Sequence, residues 1–257
     1  MITQFLDSLS IPAVYLGTAV FILFFYEVGY QIGKYLQPHY RKNGEGLMVT
    51  SILTMLAFVL AFTFSMAAAR FDKRKEVVVN EANAIGTAYL RADLLAQPHR
   101  EKVKRFLREY VDTRLQGIEK TKRKAAIARS LELHKLLWSE VTAAAKENPS
   151  MLSALLIQST NEIIDLHEKR ITAALRNRIP GSIWLMLYAI TALAMLTMGS
   201  QAGLTKMRRM IQTVPMVLAF SALITLVVDL DRTDLGLARV SQQAMFNLQS
   251  SMKGGME

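Results

Sequence analysis

The sequence predicts an all-α integral membrane protein with four transmembrane helices and a helical extramembrane domain inserted between the second and the third. Apolar residues make up 51% of the 257 residues, and charged residues make up 20%. That mixture is typical of membrane spans joined to a charged domain. The chain contains four apolar runs, and each is about 20 residues long, enough to cross a hydrocarbon core of about 30 Å. Between the second and third runs, apolar residues recur every three or four positions, which is the period of amphipathic helices.

These patterns divide the chain into four parts. A first transmembrane pair occupies residues 1–69, a helical and basic domain occupies 70–179, a second transmembrane pair occupies 180–230, and an amphipathic C-terminal tail occupies 231–257. The spans themselves are predicted at 11–33, 47–69, 181–203 and 211–230. No basic segment precedes the first apolar run, so we expect that run to remain as a span and not to be cleaved as a signal peptide.

The longest predicted helix starts with the second span and continues beyond the membrane. Residues 47–69 are uncharged, and the sequence RFDKRKE follows directly at 70–76. From there to residue 95 the chain contains no proline, and its only glycine is Gly86. Because an α-helix rises about 1.5 Å per residue, the apolar run alone covers roughly 34 Å. We therefore predict one helix over 47–95 that crosses the membrane and extends into water.

One carboxyl group falls inside the first span. Glu27 lies near the far end of that span, between Tyr26 and Tyr30. Tyrosine favours the membrane–water interface, which places Glu27 at the level of the lipid headgroups. The alternative is that Glu27 faces the helix bundle and pairs with a cation, since an ionisable group inside a membrane is costly and usually functional.

The inserted domain is predicted to be helical and basic. One apolar stripe runs through residues 103–118, and further helices are predicted at 126–147 and 151–177. Such stripes need partners, either other helices of the domain or neighbouring subunits. The domain carries 22 Lys and Arg against 14 Asp and Glu, which gives +8 of the chain's net charge of +10.

The sequence offers no pattern for catalysis or for cofactor binding. It has no cysteine, no Gly-rich phosphate loop and no nucleophile elbow. His134 and His167 have no second ligand at a suitable spacing, so we assign them no metal. The basic run at 120–124 lacks interleaved aromatic residues and is interpreted as a solvated turn, not as a nucleic-acid site. We therefore expect neither an enzyme nor a cofactor.

A row of residues in the second span is the strongest candidate site. Thr54, Phe58, Phe62 and Met66 are spaced four apart and lie along one side of the helix. The row is either a face that packs against lipid and other helices or a face that lines a pore. In several copies around an axis, Phe58 and Phe62 would form apolar rings that exclude water and so oppose the passage of ions.

Polar residues continue along the same helix beyond the span. Arg70 lies at the membrane surface, and Glu81 and Arg91 follow among apolar residues. Glu81 needs a cation if it is buried, because an unpaired buried carboxylate is costly. Arg91 lies ten residues on, about 15 Å along the helix, and is too far to supply that cation. We therefore expect a neighbouring helix or a neighbouring subunit to supply it.

Two stretches resemble a known protein family. The sequences FDKRKEVVVNEANAIGTAYLRADLL at 71–95 and VVDLDRTDLGLARVSQQ at 227–243 resemble the bestrophin-like membrane proteins that are widespread in bacteria and form the DUF4239 group. The resemblance covers the four spans, the helical insert and the tail. It implies a bestrophin-like fold. Through a more distant similarity to bestrophin ion channels, it also implies a pentamer with an axial ion pathway, a cytoplasmic insert and passive conduction.

The similarity to bestrophins extends to individual residues. The run AFVLAFTFSMAAAR at 57–70 is similar to the pore-lining second span of bestrophins. Phe58 and Phe62 match two aromatic residues of the neck, and Arg70 matches the basic residue that follows. Thr54 departs from the pattern, because a larger apolar residue is usual there.

Acidic residues follow the fourth span, where bestrophins also place them. Asp229, Asp231 and Asp234 stand here together with Arg232. Animal bestrophins hold calcium at this place with a dense acidic run, which this sequence lacks, so we do not expect calcium gating. We assign Asp229, Asp231 and Arg232 a structural or gating role.

The orientation in the membrane follows from the resemblance more than from charge counting. Four spans place both termini and the insert on one side. The span flanks on that side carry ten Lys and Arg, and the two short loops opposite carry six. The positive-inside rule gives opposite answers for flanks and for short loops. We expect a multi-pass protein of the bacterial inner membrane whose insert and termini are cytoplasmic.

The leading functional hypothesis is an oligomeric ion channel, expected to be a pentamer. The helix at 47–95 would line its axial pore, with an apolar neck, and small inorganic ions would pass, anions being favoured by the basic insert. Its other partners would be membrane lipids, with no nucleic acid. The alternative is a non-conducting scaffold or sensor that binds a cytoplasmic partner through its insert. A membrane enzyme would require an unrecognised pocket near Glu27, Glu81 or Asp229.

Overall fold

The described part of the chain is helical. The structure, a computed structural model, describes residues 8–37, 46–205, 210–233 and 236–254, and these ranges contain no strand. The all-α fold class predicted from the sequence is confirmed. The α-helices are α1 (Ile11–Leu36), α2 (Gly46–Arg91), α3 (His99–Gln116), α4 (Arg123–Glu147), α5 (Met151–Ile171), α6 (Gly181–Leu204), α7 (Met210–Asp231) and α8 (Gln243–Gly254).

Within the described residues, four helical segments are long and apolar enough to cross a membrane. They contain α1, the first half of α2, α6 and α7. The predicted spans at 11–33, 181–203 and 211–230 begin within one residue of α1, α6 and α7. The prediction of an integral membrane protein with four transmembrane helices is therefore confirmed.

The helix predicted over 47–95 is nearly as long as expected. α2 runs without interruption from Gly46 to Arg91, and a short 3₁₀ turn at Ala92–Leu94 follows it. Its 46 residues give a rod about 69 Å long. The apolar run, the charged sequence after it and the polar extension therefore lie on one continuous helix.

The chain divides into two compact units. Unit 1 comprises residues 1–71 and 178–239, and unit 2 comprises residues 72–177 and 240–257. α2 contributes to both units. The tail that the sequence analysis treated as one part, 231–257, is divided between them, so that α8 belongs to unit 2.

Glycines let α1 and α6 approach each other closely in unit 1. A Cβ atom on Gly29 would lie 2.2 Å from the Leu196 carbonyl oxygen, and one on Gly199 would lie 2.0 Å from the Tyr26 carbonyl oxygen. Gly33 and Gly203 repeat this arrangement one turn further along. Small residues at such a seam allow backbone-to-backbone van der Waals packing, which is a principal source of helix association in lipid. We call these four glycines the glycine seam.

The membrane helices of unit 1 expose large apolar side chains. Exposed examples are Leu16, Val20 and Phe24 of α1, Leu185 and Leu193 of α6, and Leu218 and Leu223 of α7. Lipid tails are as apolar as leucine, so a helix surface of this kind is at no disadvantage in a bilayer. This surface therefore fits contact with membrane lipids.

Unit 2 has an apolar core to which each of its helices contributes. Members of the core include Ile85 of α2, Leu107 of α3, Leu133 and Leu137 of α4, Ile163 of α5, and Met245 and Met252 of α8. The apolar stripes predicted in the insert thus find partners within the same chain. α8 packs against α3, and Gln249 of α8 donates a hydrogen bond of 2.6 Å to Asp112 of α3.

Candidate functional site

One face of α2 is uncovered along the whole helix. In the membrane half, the exposed residues on this face are Leu47, Ser51, Thr54, Phe58, Phe62, Ser65 and Ala69. In the other half they are Asp72, Glu76, Asn80, Asn83 and Thr87. The opposite side is buried, with Leu60, Ala67, Val78 and Ile85 among its residues. Within each half, these residues share one side of the helix because their positions repeat at the helical period of about 3.6 residues. We call this surface the open face of α2.

Three of the four residues predicted to line a pore lie on the open face. The Phe58 side chain is 73% exposed and the Phe62 side chain is 59% exposed. Thr54 is also exposed, and its hydroxyl group donates to the Thr50 carbonyl oxygen at 2.8 Å. Met66 is half-buried.

The position of Met66 has a geometric cause. A step of four residues turns an α-helix by about 400°, so a row spaced by four drifts about 40° per step. From Thr54 to Met66 the drift carries the row to the edge of the open face. Ser65 and Ala69 continue the face instead. A spacing of four alone does not reveal Ser65 and Ala69, because one side of an α-helix is followed by steps of three as well as four.

Glu27 and Arg70 are the polar residues predicted at the ends of the spans. Glu27 is half-buried and accepts a hydrogen bond of 2.8 Å from Gln31 Nε2 on the same helix. Arg70 is half-buried on α2. The contact with Gln31 is compatible with both interpretations of Glu27, which stay predictions.

Glu81 is buried in unit 2 and pairs with two arginines of the same chain. Arg170 of α5 donates a hydrogen bond from Nη1 to Glu81 Oε2. Arg114 Nε of α3 lies 3.0 Å from Glu81 Oε1, although it is not aligned for a hydrogen bond. The Tyr110 hydroxyl group donates to the same Oε1 atom at 2.8 Å. The cations therefore come from neighbouring helices, and Glu81 gives no support to oligomerisation.

Two histidines that seemed isolated in the sequence meet beside this carboxylate. The ring centroids of His134 and His167 lie 4.8 Å apart, and the rings are nearly perpendicular. His167 Nδ1 lies 3.1 Å from the Tyr110 hydroxyl oxygen. Because the Tyr110 hydrogen points to Glu81, His167 Nδ1–H must donate to Tyr110, which leaves His167 Nε2 as a bare acceptor. Within the described ranges, that buried nitrogen has no hydrogen-bond partner.

Gln242 completes this assembly, which we call the buried cluster. Its Oε1 atom accepts a hydrogen bond of 2.6 Å from Arg170 Nη2. The cluster therefore consists of Glu81 from α2, Tyr110 and Arg114 from α3, His134 from α4, His167 and Arg170 from α5, and Gln242 from the segment before α8. Hydrogen bonds and ion pairs of the cluster join α2, α3, α5 and the segment before α8, and His134 of α4 adds ring contacts with Tyr110 and His167.

The protonation states of the buried cluster follow from its charges. Burial alone would raise the pKa of Glu81, but Arg114 and Arg170, with hydrogen bonds from Arg170 and Tyr110, lower it to about 2. Burial and the charge of Arg114 lower the pKa of His134 to about 4. Burial, Arg114 and His134 lower the pKa of His167 to about 3. At neutral pH the carboxylate is therefore ionised and both histidines are neutral.

Arg91 has a separate role on the same helix. Its Nη1 atom donates to the Leu155 carbonyl oxygen at 2.9 Å and to the Ser159 hydroxyl oxygen, both on α5. The contact fastens the end of α2 to α5. Arg91 is thus not a member of the buried cluster, in agreement with its distance from Glu81 along the helix.

The acidic residues at the end of α7 are fully engaged within unit 1. Asp229 accepts hydrogen bonds from the backbone N–H groups of Leu237 and Ala238, both at 2.9 Å. Asp231 accepts from the Ile179 backbone N–H and from Arg178 Nε, both at 3.0 Å. Buried Arg232 donates from Nη1 to the Leu9 carbonyl oxygen at 2.9 Å. These contacts close the loops around α6 and α7.

The arrangement of Asp229 and Asp231 does not fit a calcium site. Calcium takes six to eight oxygen ligands, whereas both oxygens of each of these carboxylates already accept hydrogen bonds from the protein. Asp234, which the sequence analysis grouped with them, lies outside the described residues.

Four membrane helices with an inserted helical unit define the class of the protein, an all-α integral membrane protein. Residues 33–245 match the family described as Bestrophin-like domain. The chain belongs to this family. The narrower bacterial group named from the sequence motifs stays a prediction.

Solved structures share this fold. A crystal structure of a mutant bacterial bestrophin homologue from Klebsiella pneumoniae has a TM-score of 0.71 at 13% identity, with 95% of this chain and 97% of that chain covered. A second mutant form of that homologue has a TM-score of 0.68 at 14% identity, with 96% and 98% covered. At such identities the likeness shows the fold alone. No curated protein matches the chain.

Proposed function

We propose that this protein is an oligomeric ion channel, most simply a pentamer, whose axial pore is lined by the open face of α2. The open face is the observation that carries the proposal. Its membrane half exposes Phe58 and Phe62, and its other half exposes polar residues. Membership of the Bestrophin-like family supports this function, and no catalytic activity forms part of it.

The neck of the proposed pore is formed by Phe58 and Phe62. Both side chains project from α2 without intrachain cover. Copies of them around an axis form a narrow apolar ring, and an ion that crosses such a ring must lose part of its hydration shell. Thr54 and Ser65 lie on either side and offer hydroxyl groups to a rehydrating ion.

Two charge patterns bear on which ions pass, and they favour opposite signs. The basic excess of the insert favours anions, as expected from the sequence. On the open face itself, however, the charged residues are Asp72 and Glu76. Lys73 and Lys75 lie at the sides and contact these carboxylates at 3.0 and 3.8 Å. Exposed charges are screened over about 8 Å at physiological ionic strength, so the lining charges weigh more than distant ones. Whether anions or cations are favoured must therefore be measured.

The proposed setting is the bacterial inner membrane. The exposed apolar surface of α1, α6 and α7 would contact lipid. We infer that the insert and both termini are cytoplasmic, and membership of the Bestrophin-like family supports this orientation.

The experiment is single-channel recording of the purified protein in planar bilayers. Phe58→Ala and Phe62→Ala should each change single-channel conductance by about twofold or more, because each widens and wets the apolar ring. Phe24→Ala is the matched control, since Phe24 is an exposed aromatic residue of α1. If conductance and gating are the same in both neck variants and in the unaltered protein, Phe58 and Phe62 do not form the constriction.

Two further measurements separate the parts of the proposal. Native mass spectrometry in detergent gives the number of subunits, and a monomer or a dimer would rule out the axial pore. Reversal potentials in a salt gradient give the sign of the favoured ion, and Glu76→Gln should shift them towards anion selectivity if Glu76 lines the path. Absence of current in every ionic condition would favour the non-conducting scaffold or sensor.

A further inference from the structure

His99 lies between two carboxylates where the start of α3 packs beside the end of α4. It is the first residue of α3 and is buried. Its Nδ1 atom lies 2.7 Å from Glu140 Oε1, and its Nε2 atom lies 2.9 Å from Glu147 Oε2. Glu147 is the last residue of α4. Lys102 Nζ also contacts Glu140, at 3.1 Å.

This geometry requires a protonated imidazole ring. An ionised carboxylate only accepts hydrogen bonds, so each ring nitrogen of His99 must carry a hydrogen to make its contact. A neutral histidine has one N–H group and one lone pair, and the lone pair would face a carboxylate oxygen. The arrangement is therefore complete only in the imidazolium form.

Both ends of the contact are unfavourable for the helices that carry them. A positive charge at the N-terminus of a helix and a negative charge at the C-terminus each oppose the helix dipole. His99 occupies the first position of α3, and Glu147 occupies the last position of α4. The His99 charge is thus offset by Glu140 and Glu147, and the Glu147 charge is offset by His99. Once the His99 proton is lost, Glu147 has nothing to hold it against the end of its own helix.

We propose that His99 is a proton-operated latch that fastens the last turn of α4 to the first turn of α3 when protonated and releases Glu147 when deprotonated. Glu140 remains in place in both states because Lys102 holds it. Glu147 is the mobile partner, since its side chain is 69% exposed whereas that of Glu140 is 15% exposed. The latch does not depend on whether the protein conducts ions.

The direction of the pH response follows from linkage. The hydrogen bond to Glu147 is the largest cause that raises the pKa of His99, and Glu140 adds to it. A histidine whose pKa is raised in the folded state stabilises the fold fully below its ordinary pKa of about 6.5. That contribution is lost as the pH rises through the folded-state pKa. The latch is therefore closed below about pH 6.5 and opens as the pH rises through the raised pKa of His99.

Hydrogen–deuterium exchange of the full-length protein in detergent tests the latch. After correction for intrinsic exchange, amides in the last turn of α4 should exchange about twofold or more faster at about pH 9 than at about pH 6, because deprotonation of His99 opens the latch. His99→Gln and Glu147→Gln should both abolish this pH dependence. Glu119→Gln should retain it, since Glu119 pairs only locally with Lys122 in an exposed contact of 2.8 Å.

Each outcome decides the matter. No pH dependence in the unaltered protein overturns the proposal, as does its persistence in His99→Gln. Glu147→Gln guards against misfolding, because Glu147 is exposed and its amide can still bond to a neutral ring. If exchange in Glu147→Gln stays pH-dependent, another group controls the turn and His99 is not the latch.

Discussion

Glu81 and Arg170 meet in the interior of unit 2, although 89 positions separate them in the sequence. Glu81 lies on α2 and Arg170 on α5, and the contact is a charge-assisted hydrogen bond. Arg170 also binds Gln242, so one guanidinium group connects the longest helix with the segment before α8. Three predictions follow from this and from two other features of the fold.

Glu81→Gln should destabilise unit 2 by about 3–5 kcal/mol. Removing one partner of a buried ion pair leaves the other charges uncompensated, here Arg114 and Arg170. In a Trp184→Phe background, fluorescence of Trp138 on α4 follows unfolding of unit 2 in denaturant. Glu168→Gln is the control, because its exposed pair with Arg176 contributes at most about 1 kcal/mol. Equal unfolding midpoints for the two variants would contradict a stabilising role of the buried cluster.

Acid should destabilise unit 2 from about pH 6.5 downwards. An unfolded histidine binds a proton near pH 6.5, whereas the pKa of His134 is about 4 and that of His167 is about 3 in the fold. Between these values the unfolded chain holds more protons, so stability falls as the pH falls. His167→Gln should flatten the pH dependence of the denaturant midpoint between about pH 7 and about pH 4. An unchanged slope in both His134→Gln and His167→Gln would show that other groups control acid sensitivity.

Gly29→Ala should disrupt unit 1. The new Cβ atom would lie 2.2 Å from the Leu196 carbonyl oxygen, so α1 and α6 must move apart, at a cost of about 1–3 kcal/mol or more. Thermal stability in detergent measures the effect. Gly17→Ala on the same helix is the control, because nothing lies within 4 Å of its added Cβ atom. Similar loss of stability in both variants would mean that helix flexibility, not the seam, is responsible.

The fold was predictable because its determinants are local. Uncharged runs longer than a bilayer is thick, and apolar stripes at helical spacing, set the bounds of α1, α2, α6 and α7 to within a few residues. The absence of proline between Pro38 and Pro98 allowed α2 to continue out of the membrane. That Thr54, Phe58 and Phe62 share one side of α2 also follows from the helical period.

The partners of polar residues were not predictable, because they depend on packing between distant segments. Nothing in the spacing of His134 and His167 shows that α4 and α5 bring their rings together. The sequence indicates that Glu81 needs a cation, but not that Arg114 and Arg170 supply it. The sequence does not single out His99, because its two carboxylates lie more than 40 residues away. The division of the tail between the units is equally invisible, because it is a property of tertiary contacts.

The place of α8 in unit 2 has a consequence for biosynthesis. A ribosome makes α3, α4 and α5 before α6 and α7, and only then the residues from Gln242 to Met252 that complete the core of unit 2. Until those residues emerge, Arg170 lacks Gln242 and the surface of α3 that α8 covers stays open to water. Unit 2 therefore reaches its final state only after α6 and α7 have been synthesised.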